Sequence, residues 1–203
     1  VGQIIAGLSF KWKDNMKIVR HRLYVAYLLT PLLLPYLCFY FCNKLINSDF
    51  ENSGGGIKYF IVKLVWDRPY RNIFCHRIGR KHLLFSWLLP RCPYTHLRYG
   101  MPVGKNLQME HAYNTFLNAV SIGDNFSCFH NVTVGQKGGK LPTIGNNVTV
   151  SCGASILGDV VIGNNVVVGA GCVVVHDVPD ICTVVGNPAR VVKQNGKRVD
   201  YSL

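Results

Sequence analysis

The side chains best suited to acid–base chemistry lie in the second half of this 203-residue chain, where an imidazole directly follows a carboxylate at Glu110-His111. A second histidine, His130, follows in the same half. An imidazole gains or loses a proton near neutral pH, so it can act as a general base for a hydroxyl nucleophile. A lone histidine is more often an ordinary surface side chain than a catalytic base. Whether these two histidines are catalytic therefore depends on the secondary-structure elements that position them.

An insert rich in glycine and lysine separates Val134 from Ile144 and contains Lys140. Insertions in repeat proteins fall on the outside, often at the binding face. Lys140 could pair with a carboxylate there as a point charge. We interpret the insert as a candidate active-site loop, with a neutral surface loop as the alternative.

The eight cysteines form no CxxC pair and no Cys/His cluster with zinc spacing. Cys128, Cys152 and Cys172 are expected to be small residues in the wall of the fold, in a reducing compartment. No metal cofactor is predicted.

A six-residue pattern repeats without a break from Ile144 onward and can be followed back to Val103 with two interruptions. Each unit of the unbroken run opens with Ile or Val, has a small or branched apolar residue at its fifth place, and carries Asn, Gly or Asp between them. A period of six predicts a parallel β-helix in which three units make one triangular coil, rather than a β-sandwich of short strands. The unbroken units open at Ile144, Val150, Ile156, Ile162, Val168 and Val174, and earlier units open at Val103, Met109, Ile122 and Cys128.

The coil geometry makes a prediction about the two histidines. Three units bring the chain back to the same face one strand spacing higher, about 4.8 Å. His111 and His130 both occupy the third place of their units, so we expect them to stack, with Cys152 and Ala170 above them. His130 is therefore a candidate substrate-binding residue, the alternative being a corner residue with no role.

The first half differs sharply in composition and carries most of the lysine and arginine that give the chain its formal charge of +12. Residues 23–42 contain no charge and are about as long as a membrane span, although Pro31 and Pro35 interrupt them. A transmembrane helix, a membrane-embedded hairpin or in-plane anchor, and a buried helical pair all fit, and we favour the hairpin or anchor at an anionic membrane surface. No nucleic-acid motif is present. We predict an α-helical, membrane-associated segment over residues 1–95, a β-helix domain over 96–192 and a tail over 193–203.

Two segments carry a resemblance to a known family. Residues 177–191, Asp-Val-Pro-Asp-Ile-Cys-Thr-Val-Val-Gly-Asn-Pro-Ala-Arg-Val, and residues 108–111, Gln-Met-Glu-His, resemble the serine acetyltransferase branch of the hexapeptide acyltransferases. The resemblance covers Val103 to Val192. It implies a left-handed β-helix, a homotrimer and acetyl-CoA as the acetyl donor.

The resemblance also implies roles for individual residues. His111 matches the catalytic histidine, and Glu110 stands where the family has an acidic residue that contacts substrate. Contacts with the CoA donor are implied at Gly135, Cys152, Gly153, Ala170, Gly171, Arg190 and Lys193.

Three departures from the family affect the acceptor. His96 stands where the family has the Asp that orients its catalytic histidine, and Lys140-Leu141 replaces an Arg-His pair that holds the serine carboxylate. The basic, apolar first half replaces a long helical domain. His96 and Lys140 are therefore candidate substrate-binding residues whose chemistry differs from that of the Asp and the Arg-His pair that they replace. We favour a sugar hydroxyl of a surface polysaccharide, as in the short capsule and O-antigen acetyltransferases that the chain also resembles, at the cytoplasmic face of a membrane. A serine O-acetyltransferase of cysteine biosynthesis and a non-catalytic β-helix scaffold are the alternatives.

Overall fold

The repeat half folds into a triangular solenoid that follows a short helical segment. A computed structural model describes residues 46, 48–49, 56–84, 87 and 89–203. Helix α1 spans Gly56–Trp66, helix α2 spans Arg68–Ile78, and a 3-10 helix follows over Gly79–Leu84. Pro69 lies in the first turn of α2, where its missing N–H would have no intrahelical partner.

Most repeat units contribute one short strand, Val103 and Val178 contribute single bridges, and parallel pairing of equivalent positions builds three flat faces. The first face has the strand order β1-β3-β6-β9-β12, the second β4-β7-β10, and the third β2-β5-β8-β11-β13-β14-β15. The strands are β1 Thr95–Leu97, β2 Gln108–Met109, β3 Thr115–Leu117, β4 Ser121–Ile122, β5 Ser127–Cys128, β6 Thr133–Gly135, β7 Thr143–Ile144, β8 Thr149–Val150, β9 Ser155–Leu157, β10 Val161–Ile162, β11 Val167–Val168, β12 Val173–Val174, β13 Cys182–Val185, β14 Arg190–Gln194 and β15 Lys197–Ser202.

The branched residue that opens each unit points into the solenoid, as the sequence pattern predicts. Successive coils align these residues in register, so that each face supplies one column of buried apolar side chains. The columns are Leu117, Val134, Ile156 and Val174 on the first face; Ile122, Ile144, Ile162 and Val178 on the second; and Met109, Cys128, Val150, Val168 and Val184 on the third.

Asparagine forms the corner between the second and third faces, which we call the asparagine corner. The residue at this corner has a positive φ in every coil, a conformation that Asn tolerates better than most residues. Each amide also donates to the next: Asn106 Nδ2 lies 2.9 Å from Asn125 Oδ1, and this bond repeats from Asn125 to Asn147 at 2.7 Å and from Asn147 to Asn165 at 3.0 Å. Only the last coil breaks the pattern, with Ile181 at a φ of 56°.

Close stacking of the coils requires glycine near the same corner. A Cβ added to Gly145 would lie 2.8 Å from the carbonyl oxygen of Gly163 in the next coil. Gly123 stands in the equivalent position one coil earlier, where a Cβ would lie 2.6 Å from the carbonyl oxygen of Gly145. The close spacing between coils therefore explains why glycine recurs in the Ile-Gly-Asn-Asn and Ile-Gly-Asp-Asn units.

Helix α2 covers the first coil through one buried ion pair. Arg77 donates to both carboxylate oxygens of Asp49, at 2.7 and 2.9 Å, and to the carbonyl oxygens of Val103 and Gly104, each at 2.6 Å. Asp49 also accepts a bond of 2.7 Å from the backbone N–H of Leu107. Burial raises the pKa of the Asp49 carboxyl, while the hydrogen bond and the charge of Arg77 act in the opposite direction. The backbone at the open end of the solenoid thus receives partners from the helical segment.

The last coil ends in a reversal of strand direction. Strand β13 pairs antiparallel with β14, and β14 pairs antiparallel with β15. Arg190 on β14 and Asp200 on β15 form an exposed ion pair with a nitrogen–oxygen distance of 2.8 Å. Most of the predicted tail, residues 193–203, therefore forms strands that extend the third face.

The predicted fold class, a left-handed parallel β-helix preceded by an α-helical segment, is confirmed. The apolar run over residues 23–42, which we interpret as membrane-embedded, lies outside the described residues. Among the helices that are described, none combines the length and apolar character needed to cross a membrane.

We predict that Ile181→Asn stabilises the protein. A β-branched residue in the left-handed region costs about 1–2 kcal/mol relative to a tolerant one, and the new amide could accept a bond from Asn165 Nδ2, continuing the asparagine ladder. The free energy of unfolding in a denaturant titration should rise by about 1 kcal/mol.

Ile181→Val is the matched control, since it shortens the side chain while keeping the branched Cβ at the strained position. It should give no gain. Equal stability of the two variants would show that the positive φ of Ile181 carries no measurable strain.

Candidate active site

His111 lies in an expanded corner between the third and first faces, which we call the site corner. In the second coil, residues 129–131 connect Cys128 on the third face to Val132 on the first. In the first coil, residues 110–114 make the same connection, from Met109 to Thr115. The pairings of Met109 with Cys128 and of Phe116 with Thr133 fix both ends of this corner. The first coil therefore carries extra residues, and Glu110 and His111 are among them.

Backbone hydrogen bonds show which residues stack at the site corner. The backbone N–H of Asn131 donates to the backbone carbonyl oxygen of Tyr113 in the coil before it. In the same way, the N–H of Gly153 donates to the carbonyl oxygen of His130, and the N–H of Gly171 donates to the carbonyl oxygen of Cys152. The residues that follow in each coil share a positive φ: Asn114, Asn131, Gly153 and Gly171.

The expectation that His111 stacks directly beneath His130 is therefore corrected. Tyr113 occupies that place, because the extra residues move His111 out of the column and into the loop. His130, Cys152 and Ala170 do follow one another up the corner as expected, and His111 and His130 lie at the same corner of adjacent coils.

The loop that carries His111 is held through its carbonyl groups. The N–H of Tyr113 donates to the carbonyl oxygen of His111 at 2.7 Å, which closes a three-residue turn. The hydroxyl of Thr95 donates to the carbonyl oxygen of Ala112 at 2.6 Å. The hydroxyl of Thr115 lies 3.3 Å from the backbone carbonyl oxygen of Tyr113. His111 itself has a φ of 49°, a conformation that persists only where surrounding bonds hold it. The exposed ring is thus carried on a fixed backbone.

Thr95 is fixed in turn from helix α2. The buried side chain of Asn72 donates to the carbonyl oxygens of Thr95, at 2.5 Å, and Cys92, at 2.9 Å, and accepts from the N–H of Cys92 at 2.8 Å. The amide therefore links the helical segment to the loop through a chain of buried hydrogen bonds that passes from Asn72 to Thr95 and on to Ala112, beside His111.

His96 lies on β1, one coil before Phe116 on β3, and the two rings stack with centroids 4.4 Å apart. The His96 side chain is exposed. Within the described part of the chain, no side chain forms a hydrogen bond with the ring of His111. His96, which stands where the resemblance implies an orienting Asp, therefore lies on the first face next to the site corner, but the two histidines form no dyad in this structure.

The glycine- and lysine-rich insert forms a tight turn at a different corner, between the first and second faces. Lys137 and Lys140 pair antiparallel, and Gly138 and Gly139 between them both have positive φ, as a two-residue hairpin turn requires. Lys140 Nζ lies 2.6 Å from Asp159 Oδ2. The hydrogen bond and then the charge of Asp159 raise the pKa of Lys140 above its ordinary value, so the ammonium form is favoured.

The residues that the resemblance assigns to the donor divide into three places. Cys152, Gly153, Ala170 and Gly171 line the site corner above His130. Gly135 ends β6 on the first face, and Arg190 and Lys193 lie on β14 at the far end of the third face. Small residues along one corner leave a strip of accessible backbone. None of the described residues form a group of three side chains that could hold a metal ion.

The buried thiols are unsuited to nucleophilic catalysis. Burial raises the pKa of Cys128 to about 12 and that of Cys172 to about 11. Thiolate, the reactive form, is scarce at neutral pH in such surroundings. This favours direct transfer over an acyl-cysteine intermediate on either residue.

Three of the residues that hold the loop gave no usable signal in the sequence. Asn72 and Thr95 act through partners far along the chain, and Thr115 is one of many threonines in the repeats. Asn114 is the one sequence signal of the expanded corner. If the first two coils are aligned by Asn114 and Asn131, instead of by His111 and His130, the alignment gives the observed stacking.

We predict that Thr95→Val destabilises the protein by about 1–3 kcal/mol, because it leaves the carbonyl oxygen of Ala112 without its buried partner. The His111 ring signals in an NMR spectrum should broaden as the loop loosens. Thr95→Ser keeps the hydroxyl and should restore most of the loss. Equal stabilities for the Val and Ser variants would mean that this hydrogen bond does not hold the loop.

Comparisons with known proteins agree with this architecture. The family described as bacterial transferase hexapeptide (six repeats) matches residues 142–176. The serine acetyltransferase of Bacillus subtilis is 34% identical over 172 residues, which are 78% of this chain and 79% of that protein. The serine acetyltransferase of Synechococcus elongatus is 37% identical over 147 residues, which are 64% of this chain but only 59% of that protein.

Solved structures give the same result. The crystal structure of the serine acetyltransferase from Neisseria gonorrhoeae superimposes with a TM-score of 0.64 at 27% identity, covering 80% of this chain and 70% of that one. The soybean serine acetyltransferase apoenzyme superimposes with a TM-score of 0.61 at 29% identity, covering 82% of this chain and 75% of that one. A non-catalytic scaffold is thereby set aside in favour of an acyltransferase. With its parallel β-helix, its hexapeptide units and this match along most of a relative's length, the chain belongs to the serine acetyltransferase family.

Proposed function

We propose that the chain transfers the acetyl group of acetyl-CoA directly to an acceptor hydroxyl, with His111 as the general base. The observation that carries this proposal is the placement of an exposed imidazole on a fixed loop, at the same corner as the strip of small residues that the family resemblance assigns to CoA. Acetyl-CoA as the substrate fits the serine acetyltransferase family, and a related structure is described as a complex with CoA, although at 21% identity it supports the fold alone.

The proposed step conserves atoms and charge. The acceptor oxygen attacks the thioester carbonyl carbon while a ring nitrogen of His111 takes the hydroxyl proton. The tetrahedral intermediate then collapses, the carbon–sulfur bond breaks, and the protonated imidazole returns its proton to the departing thiolate. In this proposal Glu110, which precedes the base in the sequence, contacts the acceptor, as the family resemblance implies.

L-Serine is the acceptor that the relatives favour. The proteins compared above are named serine acetyltransferases, and the match with one of them covers most of both chains. In this proposal the serine hydroxyl is acetylated, and its carboxylate pairs with Lys140 of a neighbouring subunit, because within one solenoid the insert lies at a different corner from His111.

A sugar hydroxyl is the second candidate acceptor, and the insert supports it. Lys140 is already paired with Asp159 at 2.6 Å, and the next residue is the apolar Leu141. A serine carboxylate would have to compete with Asp159 for this lysine. A neutral sugar needs no such cation.

We also propose a homotrimer located on the cytoplasmic side, where acetyl-CoA is available. Exposed apolar side chains on the outer surfaces of the faces support self-association: Val120, Val161 and Val167 are each at least 40% exposed. A single solenoid supplies CoA with one wall, and a neighbouring subunit would supply a second.

We predict that His111→Ala lowers the turnover number by about 10²–10⁴-fold, the usual contribution of a general base. Thiol release from acetyl-CoA measures this directly. Light scattering should report the same trimer for the variant and the parent protein, because the exposed ring supports no packing.

His176→Ala is the control, since His176 is an exposed histidine outside the site corner. It should leave turnover unchanged. A His111→Ala variant with nearly normal turnover would move the base elsewhere, and His130 would be examined next.

We predict that L-serine gives saturable thiol release and O-acetylserine as product. Lys140→Met should then raise the KM for serine about tenfold or more, because a hydrogen bond to a charged group contributes about 1.5–3 kcal/mol. Lys105→Met is the matched control, as Lys105 forms a comparable exposed pair with Asp124, at 3.8 Å, in another part of the solenoid.

The acceptor assay includes methyl glycosides of common hexoses beside serine. Turnover with a glycoside and none with serine would reject serine and support the sugar acceptor. Thiol release with neither would contradict acetyl transfer to these two classes of hydroxyl.

A further inference from the structure

Three exposed apolar side chains lie close together after helix α2, and we call them the leucine–tryptophan tip: Leu83, Leu84 and Trp87. Their exposed fractions are 64%, 77% and 76%. Single exposed apolar residues are normal on a protein surface, whereas a group of them indicates a binding surface. None of the roles assigned above uses these residues.

The geometry of the 3-10 helix over Gly79–Leu84 sets the direction of the tip. Three residues make one turn of such a helix, so side chains three positions apart lie above one another. His82 is 7% exposed, and its Nδ1 lies 2.6 Å from the carbonyl oxygen of Gly79, so the row that contains these two residues faces the protein. The two remaining rows face outward. Each places a cation one turn before a leucine: Arg80 before Leu83, and Lys81 before Leu84.

The segment that carries the tip is anchored to helix α2 again at its far end. Arg71 Nη1 donates to the carbonyl oxygen of Pro90 at 2.9 Å. The buried amide of Asn72 both donates to the carbonyl oxygen of Cys92 and accepts from its N–H, at 2.9 and 2.8 Å. Leu89 packs against the core. The exposed tip therefore projects from a base that is held on both sides.

The surroundings of the tip are positively charged. No Asp or Glu occurs in the chain between Arg68 and Met109. Arg80 and Arg91 are exposed, and within the described part of the chain neither forms an ion pair. Arg91 lies near the base of the tip, because it lines the same cavity as the buried His82. An occupant of this surface therefore has to complement cations as well as apolar side chains.

The charge distinguishes between the possible occupants. A second copy of this chain would bring two cationic surfaces together. Residues 1–45 of the chain itself are also cationic, with six lysines and arginines against a single aspartate. A bilayer that contains anionic lipid supplies negative headgroups first and an apolar layer beneath them. This order matches the outward rows, in which the cations precede the leucines.

Aromatic residues of the same surface agree with a bilayer. Tryptophan and tyrosine are enriched at the level of the lipid headgroups, because their rings are apolar and carry one polar group. Trp87 is part of the tip. Tyr99 is 61% exposed, and its hydroxyl oxygen would lie 3.6 Å from a Cβ added to Gly79, at the start of the 3-10 helix.

We infer that the leucine–tryptophan tip docks the protein on a bilayer containing anionic lipid. Leu84 and Trp87 enter the boundary between headgroups and acyl chains, and Arg80 and Arg91 lie beside the headgroups. The inference goes beyond acetyl transfer and does not depend on it. Because helix α2 packs on the first coil, docking would hold the end of the solenoid that carries His111 nearest the bilayer.

Trp87 reports on the docking directly once Trp12→Phe and Trp66→Phe leave it as the sole tryptophan of the full chain. Vesicles of phosphatidylcholine and phosphatidylserine are added, with and without bromine on the acyl chains. The emission should shift to shorter wavelength and be quenched by the brominated lipid. Vesicle-bound protein with unquenched Trp87 would show that another segment holds the bilayer, and would overturn the inference. Emission at short wavelength before any lipid is added would show that the tip is already covered by protein, and would also overturn it.

Vesicle flotation of single variants tests the apolar and the charged contributions separately. Leu84→Ser should weaken binding about tenfold, because it removes most of a buried leucine side chain. Ile181→Ser is its control, as Ile181 is an exposed apolar residue at the far end of the solenoid. Arg80→Gln should weaken binding to vesicles with phosphatidylserine about fivefold, whereas Lys197→Gln, the same loss of charge on β15, should have little effect. Equal binding by a variant and its control, in either pair, would overturn the inference.

Discussion

Each coil of the solenoid must return to the same face one strand spacing higher, and this closure condition governs the rest of the molecule. It aligns the buried columns, brings the amides of the asparagine corner within 3.0 Å of one another, and excludes a Cβ at positions such as Gly145. The faces tolerate no extra residue, because a slip of one position would turn every apolar side chain outward. Added residues are therefore confined to corners. The two expansions of the repeat, residues 110–114 and the insert before Ile144, are at corners, and they carry the candidate base and Lys140.

The same condition leaves the first coil with backbone groups that no earlier coil can pair. Helix α2 meets this need with Arg77 and Asn72, whose side chains replace a missing coil as hydrogen-bond partners. Burying the Arg77–Asp49 pair is costly unless all of its polar atoms are satisfied, and the contacts to Val103, Gly104 and Leu107 provide that satisfaction. One helix therefore closes the solenoid and fixes the loop of His111 through Thr95.

Periodicity made most of the solenoid predictable from the sequence. The residue that opens each unit from Ile144 onward is buried in the column expected for it, because its place is repeated and its environment is the same in every coil. The expanded site corner was hidden, since Met109 to Asn114 counts as one ordinary unit although the chain uses it as a strand and a loop. The contacts of Asn72 and Arg77 belong to no repeat. They depend on how a helix meets the first coil, which a period of six does not encode.

The antiparallel turn from β13 into β14 gives the solenoid a defined length. A parallel stack with an open last coil would present a template on which another molecule could continue the same ladder, and the products would be fibres. Reversal of strand direction changes the spacing of the exposed hydrogen-bonding groups, and β15 carries Lys197 and Arg198 on the outermost strand. Charged residues on an edge strand oppose pairing between molecules. The final hairpin thus opposes end-to-end association of solenoids.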